Sequence, residues 1–369
     1  MRKILTVLLV FPVGLLLGSC GEERPGDPDG NNVLTLVAMD TSGVSSEEWL
    51  PVPGATVKLS STTFYYQETF ETDDEGRVVI AGLPAGNYTI MAEKINVEEN
   101  VLIIGQMTKQ LLYDPAATDT VLMSYMQASP IVINEVYYCG CNASSYYYYD
   151  QFFELYNSSS DTLYLDGYIM CRSTQIQLLD WESVDYAIAY FVYIFPGTRG
   201  VTKECPIPPK GFLVLAGDAY DHSLVSGRCV DLSSADWEFC NPVKFDYDNP
   251  SVPNIDPVTL WSRDFTINIA HVAIWLATGE GYYFDFHFDG NNMKEYINVP
   301  LETIVDAVEY SSNPDSPKYV TIRIDAGLGG NGMTRYSARS IERRYPGLDS
   351  NNSTFDFVIV DTPTPGYQH

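Results

Sequence analysis

The sequence predicts an all-β protein: two immunoglobulin-like β-sandwich domains, the second enlarged by insertions. Three observations carry this. Short runs of alternating apolar and polar residues recur along the chain, bounded by Gly, Pro, Asn and Asp. Tyrosine is the compositional outlier, with 27 of 369 residues, and aromatic side chains favour pleated, half-buried surfaces. The length exceeds what one core usually serves, so the strands divide between at least two.

The N-terminus comes first. In "MRKILTVLLVFPVGLLLGSC", Arg2 and Lys3 precede an apolar run that ends in small residues before Cys20. Residues 1–19 read as a signal peptide, too short and too abruptly ended for a stable membrane span. Residues 20–32, "CGEERPGDPDGNN", are polar and rich in Gly and Pro, as expected of a flexible tether. Leu17-Gly18-Ser19-Cys20 resembles the bacterial lipobox. That resemblance implies cleavage before Cys20 and a diacylglycerol on its thiol; a plain signal peptide with a chance cysteine is the alternative. Glu22-Glu23 is similar to the acidic export tag of Bacteroidetes surface lipoproteins. The expected location is therefore the outer membrane, lipid-anchored and facing the exterior, with the membrane itself as one partner.

Residues 33–128 hold the next set of strands: "NVLTLVAMD", "GATVKLSS", "GRVVIAGLPAGNYTIMAEK" and "TVLMSYM". Asp73-Asp74-Glu75-Gly76 and Gly82-Leu83-Pro84-Ala85-Gly86 are the turns between them. The block from Pro53 to Glu93 resembles the carboxypeptidase-regulatory-like, or transthyretin-like, sandwich. The resemblance implies a small spacer module without catalysis, with Tyr88 and Ile90 pointing into its core.

Ser129-Pro130 marks the second boundary, and 129–369 is the larger domain. Six short stretches in order resemble the lamin-tail domain: Ile133-Asn134-Glu135, Glu154-Leu155-Tyr156-Asn157, Leu165-Asp166-Gly167, Pro209 to Leu215, Asp306 to Tyr310, and Thr364-Pro365-Gly366. Such a domain needs about half of these residues, so 171–193 and 217–303 are insertions. The whole chain also resembles an uncharacterised family of Bacteroidetes surface lipoproteins that brings no activity with it.

Within "YYCGCNASSYYYYDQFFELYN", strand alternation puts Tyr146, Tyr148, Phe152 and Tyr156 on one side and Phe153 and Leu155 on the core side. Two outcomes are open for the first set. It is an exposed aromatic strip able to stack on sugar rings or grip peptide, or the insertions cover it. Downstream of Cys20 stand Cys139, Cys141, Cys171, Cys205, Cys229 and Cys240. An even number in an exported chain suggests three disulfides. Cys139 and Cys141 are expected to pair elsewhere, because side chains two apart on a strand project about 7 Å from one another. Zinc is the rival reading, though Cys-x-x-Cys knuckles and nearby histidines are missing.

Catalytic fingerprints such as G-x-S-x-G and H-E-x-x-H are absent from the sequence. In "FDFHFDGNN", Asp285, His287 and Asp289 share one strand face and are a candidate site for calcium or another divalent metal; otherwise no cofactor is expected. Asp218, Asp221 and His222 read as a polar loop. Glu135 and Glu154 lie in apolar strands and need partners, for which Arg343 is the candidate. "DTV" and "DTL" resemble the O-glycosylation sequon of Bacteroidetes exported proteins, at Thr120 and Thr162. The formal net charge of −27 argues against nucleic acid as a partner.

Together these point to a non-enzymatic surface lipoprotein acting as a binding or adhesion module for an extracellular glycan or protein. A hydrolase whose site is built from the insertions, and a purely structural component of a surface assembly, are the alternatives.

Overall fold

The computed structural model describes residues 30–369 apart from 42–48, 62, 65, 97–100, 114–115, 177–182, 245, 262–264 and 291. Cys20, the signal peptide and most of the tether lie outside the described residues. The described chain is almost all β, arranged as two curled sheets in keeping with the two-sandwich expectation.

The first sheet starts with Asn32–Asp40, whose residues alternate strictly between buried and half-buried. This strand runs parallel to Ala117–Ala128 and antiparallel to Arg77–Leu83. The alternation sends Leu34, Leu36 and Ala38 inward, where they meet Val57, Leu59, Val121 and the expected Tyr88 and Ile90. The Tyr88 hydroxyl donates to the carbonyl of Pro84 at 2.8 Å, which satisfies its polar end inside the core. Gly76 turns the chain with φ +70°, and a Cβ there would stand 2.9 Å from the amide nitrogen of Val52. A side chain is thus excluded by both conformation and space.

The second sheet is larger. At its centre Ile131–Tyr137 pairs with Phe152–Asn157 and with Ser340–Arg343. Every residue of Ile131–Tyr137 is buried, so both faces of this strand are covered. Phe152–Asn157 is covered in the same way: Phe152 and Phe153 are both fully buried. The expected inside–outside alternation fails for that reason. It also fails because Tyr146 to Gln151 is turn and coil, and the strand begins only at Phe152.

The pairing register brings three glutamates side by side. Glu135 stands opposite Glu154 on one neighbour and Glu342 on the other, and all three are buried. Like charges placed opposite one another in a sheet destabilise it. The expected partner, Arg343, points elsewhere. Instead the segment 364–369 lies over the row. The Thr364 amide donates to Glu135 at 3.2 Å, Gly366 to Glu154 at 2.5 Å, and His369 to Glu342 at 3.1 Å. Ser340 also donates to Glu135, and Asn134 to Glu154. The Thr364-Pro365-Gly366 stretch therefore supplies backbone donors to buried carboxylates.

The two cores meet across a packed junction. Leu348–Asp349 pairs with Gln127 and Ala128 at the end of Ala117–Ala128, and Leu102, Ile104 and Met126 pack against Tyr345, Leu348 and Phe355. Of the expected three disulfides one is formed, Cys141–Cys229, with Cα atoms 4.9 Å apart and a sequence separation of 88. Cys141 thus pairs away from Cys139, as expected. Cys139, Cys171, Cys205 and Cys240 are instead buried thiols. Burial pushes Cys205 and Cys240 up to about 12 and raises Cys171 well above its ordinary value, so they behave as small apolar side chains.

Two predictions come from this fold. In protein purified without reductant, thiol reagents should reach the four free cysteines only after unfolding, and Cys229→Ser should lower the melting temperature markedly. Chain entropy for a loop of this length amounts to roughly 4–5 kcal/mol. A variant as stable as the parent would contradict this.

The second concerns pH. Burial raises Glu135 to about 7 and Glu154 to about 8 despite the donors around them. Carboxyls raised on folding contribute stability that is complete below their unfolded value near 4 and is lost as pH rises through the folded value. Buried His222, held below its usual value, acts in the opposite sense below about pH 6.5. The carboxyls outnumber it, so the melting temperature should fall between pH 5.5 and 8.5. Glu154→Gln should flatten the slope. A melting temperature that rises over this range would show that the amides keep the row ionised.

Candidate ligand-binding surface

The tyrosine run sits on a turn held by the disulfide. Gly140 enters it with φ +73°, and the amide of Cys141 donates to the carbonyl of Tyr147 at 3.2 Å. Tyr147 packs inward against the Cys141–Cys229 pair, and its hydroxyl lies 2.7 Å from Nδ1 of His222. His222 is itself buried, with Nε2 3.0 Å from the Asp218 carbonyl, so the expected polar loop is a structural brace. Tyr146 projects into solvent, 71% exposed, with its ring edge-on to Tyr336. Tyr148 stacks on Tyr149 at 4.9 Å.

The four aromatics expected on one strip are therefore separated. Phe152 is core, beside Tyr137. Tyr156 is half-buried against Phe212, at the other end of its strand. Tyr146 and Tyr148 are turn residues whose side chains do not follow strand alternation. Of the four, Tyr148 lines a cleft.

That cleft has a volume of about 340 Å³ and is walled by Tyr148, Arg172, Arg335 and residues 266–269. Its walls are fixed from behind by buried groups. The Gln151 side chain donates to the carbonyl of Ile267 at 3.0 Å and accepts from the Ile267 amide at 2.9 Å. The Tyr310 hydroxyl donates to the Asn268 carbonyl at 2.6 Å. Arg172 Nη1 donates to the Thr266 carbonyl at 2.6 Å, and its guanidinium lies over the Phe191 ring at 4.4 Å. Burial lowers the pKa of Arg172 below its ordinary value. Arg172 also lines a second cleft of about 250 Å³ with Tyr190, Lys294 and Tyr296.

Lys294 and Tyr296 belong to a hairpin in the second insertion, Tyr283–Asp289 paired with Asn292–Pro300. The three candidate metal ligands share its inner face, as their spacing predicts, but each is taken up by a neighbour. His287 Nε2 is 2.7 Å from Oδ1 of Asn298, and Asn298 Nδ2 donates to Asp285 at 3.4 Å. Asp289 pairs with Lys294 at 2.5 Å and accepts from Tyr296 at 3.1 Å. Among the described residues the one cluster with metal-ligand spacing is Cys141, Asp150 and Cys229, two of which are joined in the disulfide. The metal expectation for Asp285, His287 and Asp289 is therefore replaced by a ladder of cross-strand hydrogen bonds.

The outer face of the same hairpin carries Phe284, Phe286 and Phe288, which are 48, 57 and 68% exposed, with Met293 opposite Phe288. The sequence holds the signal for this strip in the F-x-F-x-F alternation of "FDFHFD". Arg172 and Arg335 carry no such local pattern. Thr120 and Thr162 both lie at exposed positions, Thr120 within the strand Ala117–Ala128 and Thr162 in a loop.

Residues 209–364 match a family model described as a protein of unknown function, DUF4876. No curated protein matches the chain. A crystal structure of a DUF4876 family protein from Bacteroides thetaiotaomicron superimposes with a TM-score of 0.54 at 22% identity, covering 89% of this chain and 94% of that one. Slighter likenesses join the chain to a candidate carbohydrate-binding protein from Pseudomonas aeruginosa (TM-score 0.20, 15% identity, 26% of this chain and 89% of that one) and to the major pilin SpaD of Corynebacterium diphtheriae (0.21, 13%, 44% and 49%). The fold of this chain is thus shared with the Bacteroides protein, and its 209–364 segment carries the DUF4876 sequence pattern.

Proposed function

We propose that the protein is a non-enzymatic binding module of the cell surface, anchored in the outer membrane through a lipid on Cys20, whose ligand is an extracellular glycan or protein. The observation that carries the reading is the row Phe284, Phe286 and Phe288 on a projecting hairpin. Rings at alternate positions of a strand stand about 7 Å apart on one face. A contiguous exposed apolar strip of this kind is uncommon on a protein surface without a use. Flat aromatic faces suit sugar rings and apolar peptide side chains alike. The hairpin also lies in an insertion, where function can be grafted without disturbing the sandwich core.

The test is retention on a panel of immobilised polysaccharides and extracellular matrix proteins. The double variant F286A/F288A should lose at least about tenfold in affinity for whatever the parent retains. Its melting temperature should barely change, because exposed side chains seldom carry fold energy. Equal retention of parent and variant would remove the strip from the function. Shortening of a polysaccharide during incubation would favour the hydrolase alternative instead.

A further inference from the structure

We infer that the cleft between Tyr148, Arg172 and Arg335 is a site for a carboxylate-bearing sugar, so that the ligand of the proposed binding module is an acidic polysaccharide. The inference rests on that binding reading and narrows its ligand.

The charge of the cleft runs against the charge of the molecule. Acidic residues outnumber basic ones 48 to 21 in the whole chain, yet two arginines and no carboxylate line this cleft. Neither arginine is in an ion pair among the described residues. Elsewhere the large buried cation Arg343 has three aspartates around it. Arg172 is half-buried and has the Thr266 carbonyl as its hydrogen-bonding acceptor, and its Nε–H is buried with no partner. A guanidinium withdrawn from water without a counter-charge is costly. A site that keeps one is arranged for an anion that arrives from outside.

The geometry favours a carboxylate on a ring. Guanidinium forks match planar carboxylates in a bidentate fashion. Arg172 supplies a fixed fork, clamped by Thr266 and the Phe191 ring. Arg335 is exposed and lines the same cleft, where it adds a second guanidinium. Tyr148, stacked on Tyr149, offers an aromatic edge to the sugar. The backbone of 266–269 is fastened by Gln151 and Tyr310, so little ordering remains to be done on binding. Lys294, in the second cleft that Arg172 also lines, is by contrast matched by Asp289 at 2.5 Å, so among the described residues the cations of these clefts without a carboxylate partner are the two arginines of the first.

The experiment uses the purified full chain and calorimetric titration with three probes: an oligogalacturonate, a neutral oligosaccharide of equal length, and a polyglutamate peptide. The oligogalacturonate should bind, more weakly as salt is raised, and the other two should not match it. Arg335→Ala should weaken that binding about tenfold, as expected for loss of one charge-assisted contact. Arg335→Lys should recover part of it. Arg335 is exposed, so neither change threatens folding, and Arg172→Lys then tests the fixed fork with melting temperature as its control. Absence of oligogalacturonate binding, or indifference to Arg335→Ala, overturns the inference. So does equal binding of polyglutamate, which would make the site a general carboxylate trap. If the neutral oligosaccharide binds and F286A/F288A abolishes that binding, the module reading stands while the acidic-sugar inference falls.

Discussion

The second domain is organised around the buried guanidinium of Arg343. It is fully enclosed and pairs with Asp306 at 2.8 Å and with Asp349 and Asp356 at 3.3 Å. Its remaining donors reach the carbonyls of Ile133 and Leu348. Asp306 accepts in addition from the amide of Ile133 at 2.6 Å. One side chain thus ties the central strand to the strand Ile304–Ser311, to the junction strand Leu348–Asp349, and to the short helix Ser353–Asp356. Burial acts to lower the guanidinium pKa, but the three aspartates outweigh it and hold it above its usual value. Burial also lifts Asp306 to about 7. Removing one member of such a set strands the others without compensation, which typically costs about 3–5 kcal/mol.

Because Arg343 serves the aspartates, it is unavailable to the glutamates on the neighbouring register. The domain resolves this by laying 364–369 across them, so that peptide N–H groups take the place of a cation. Donors from the backbone carry no charge of their own. Burial raises Glu135 and Glu154 above the ordinary carboxylate range, and the hydrogen bonds from the segment offset only part of that rise. The same interactions fasten the last residues of the chain to its central strand.

The proposed binding function sits where these networks end. Gln151 and Tyr310 reach out from the core and fix the backbone of 266–269, while the disulfide and His222 hold the tyrosine turn from below. The supports of the cleft are buried, Arg172 is half-buried against them, and Arg335 is exposed. The Phe hairpin is different in kind. Its inner face is bound by the Asp285, His287 and Asp289 ladder, and its outer face is left to solvent.

The sequence by itself determined the class of fold, since alternation and turn residues are local properties. Asn32–Asp40 alternates in the structure as it does in the sequence, and Tyr88 and Ile90 are core. It also placed Asp285, His287 and Asp289 on one face, because strand geometry alone requires that. Partners were decided by tertiary structure. Whether Arg343 meets a glutamate or an aspartate depends on which strands flank it, and no spacing encodes that. Phe152 departs from its expected place because alternation marks one buried face, whereas a strand covered on both sides has two. Tyr148 and Arg172 are 24 positions apart and Arg335 lies more than 160 beyond. Only the folding of the second domain brings them to one cleft.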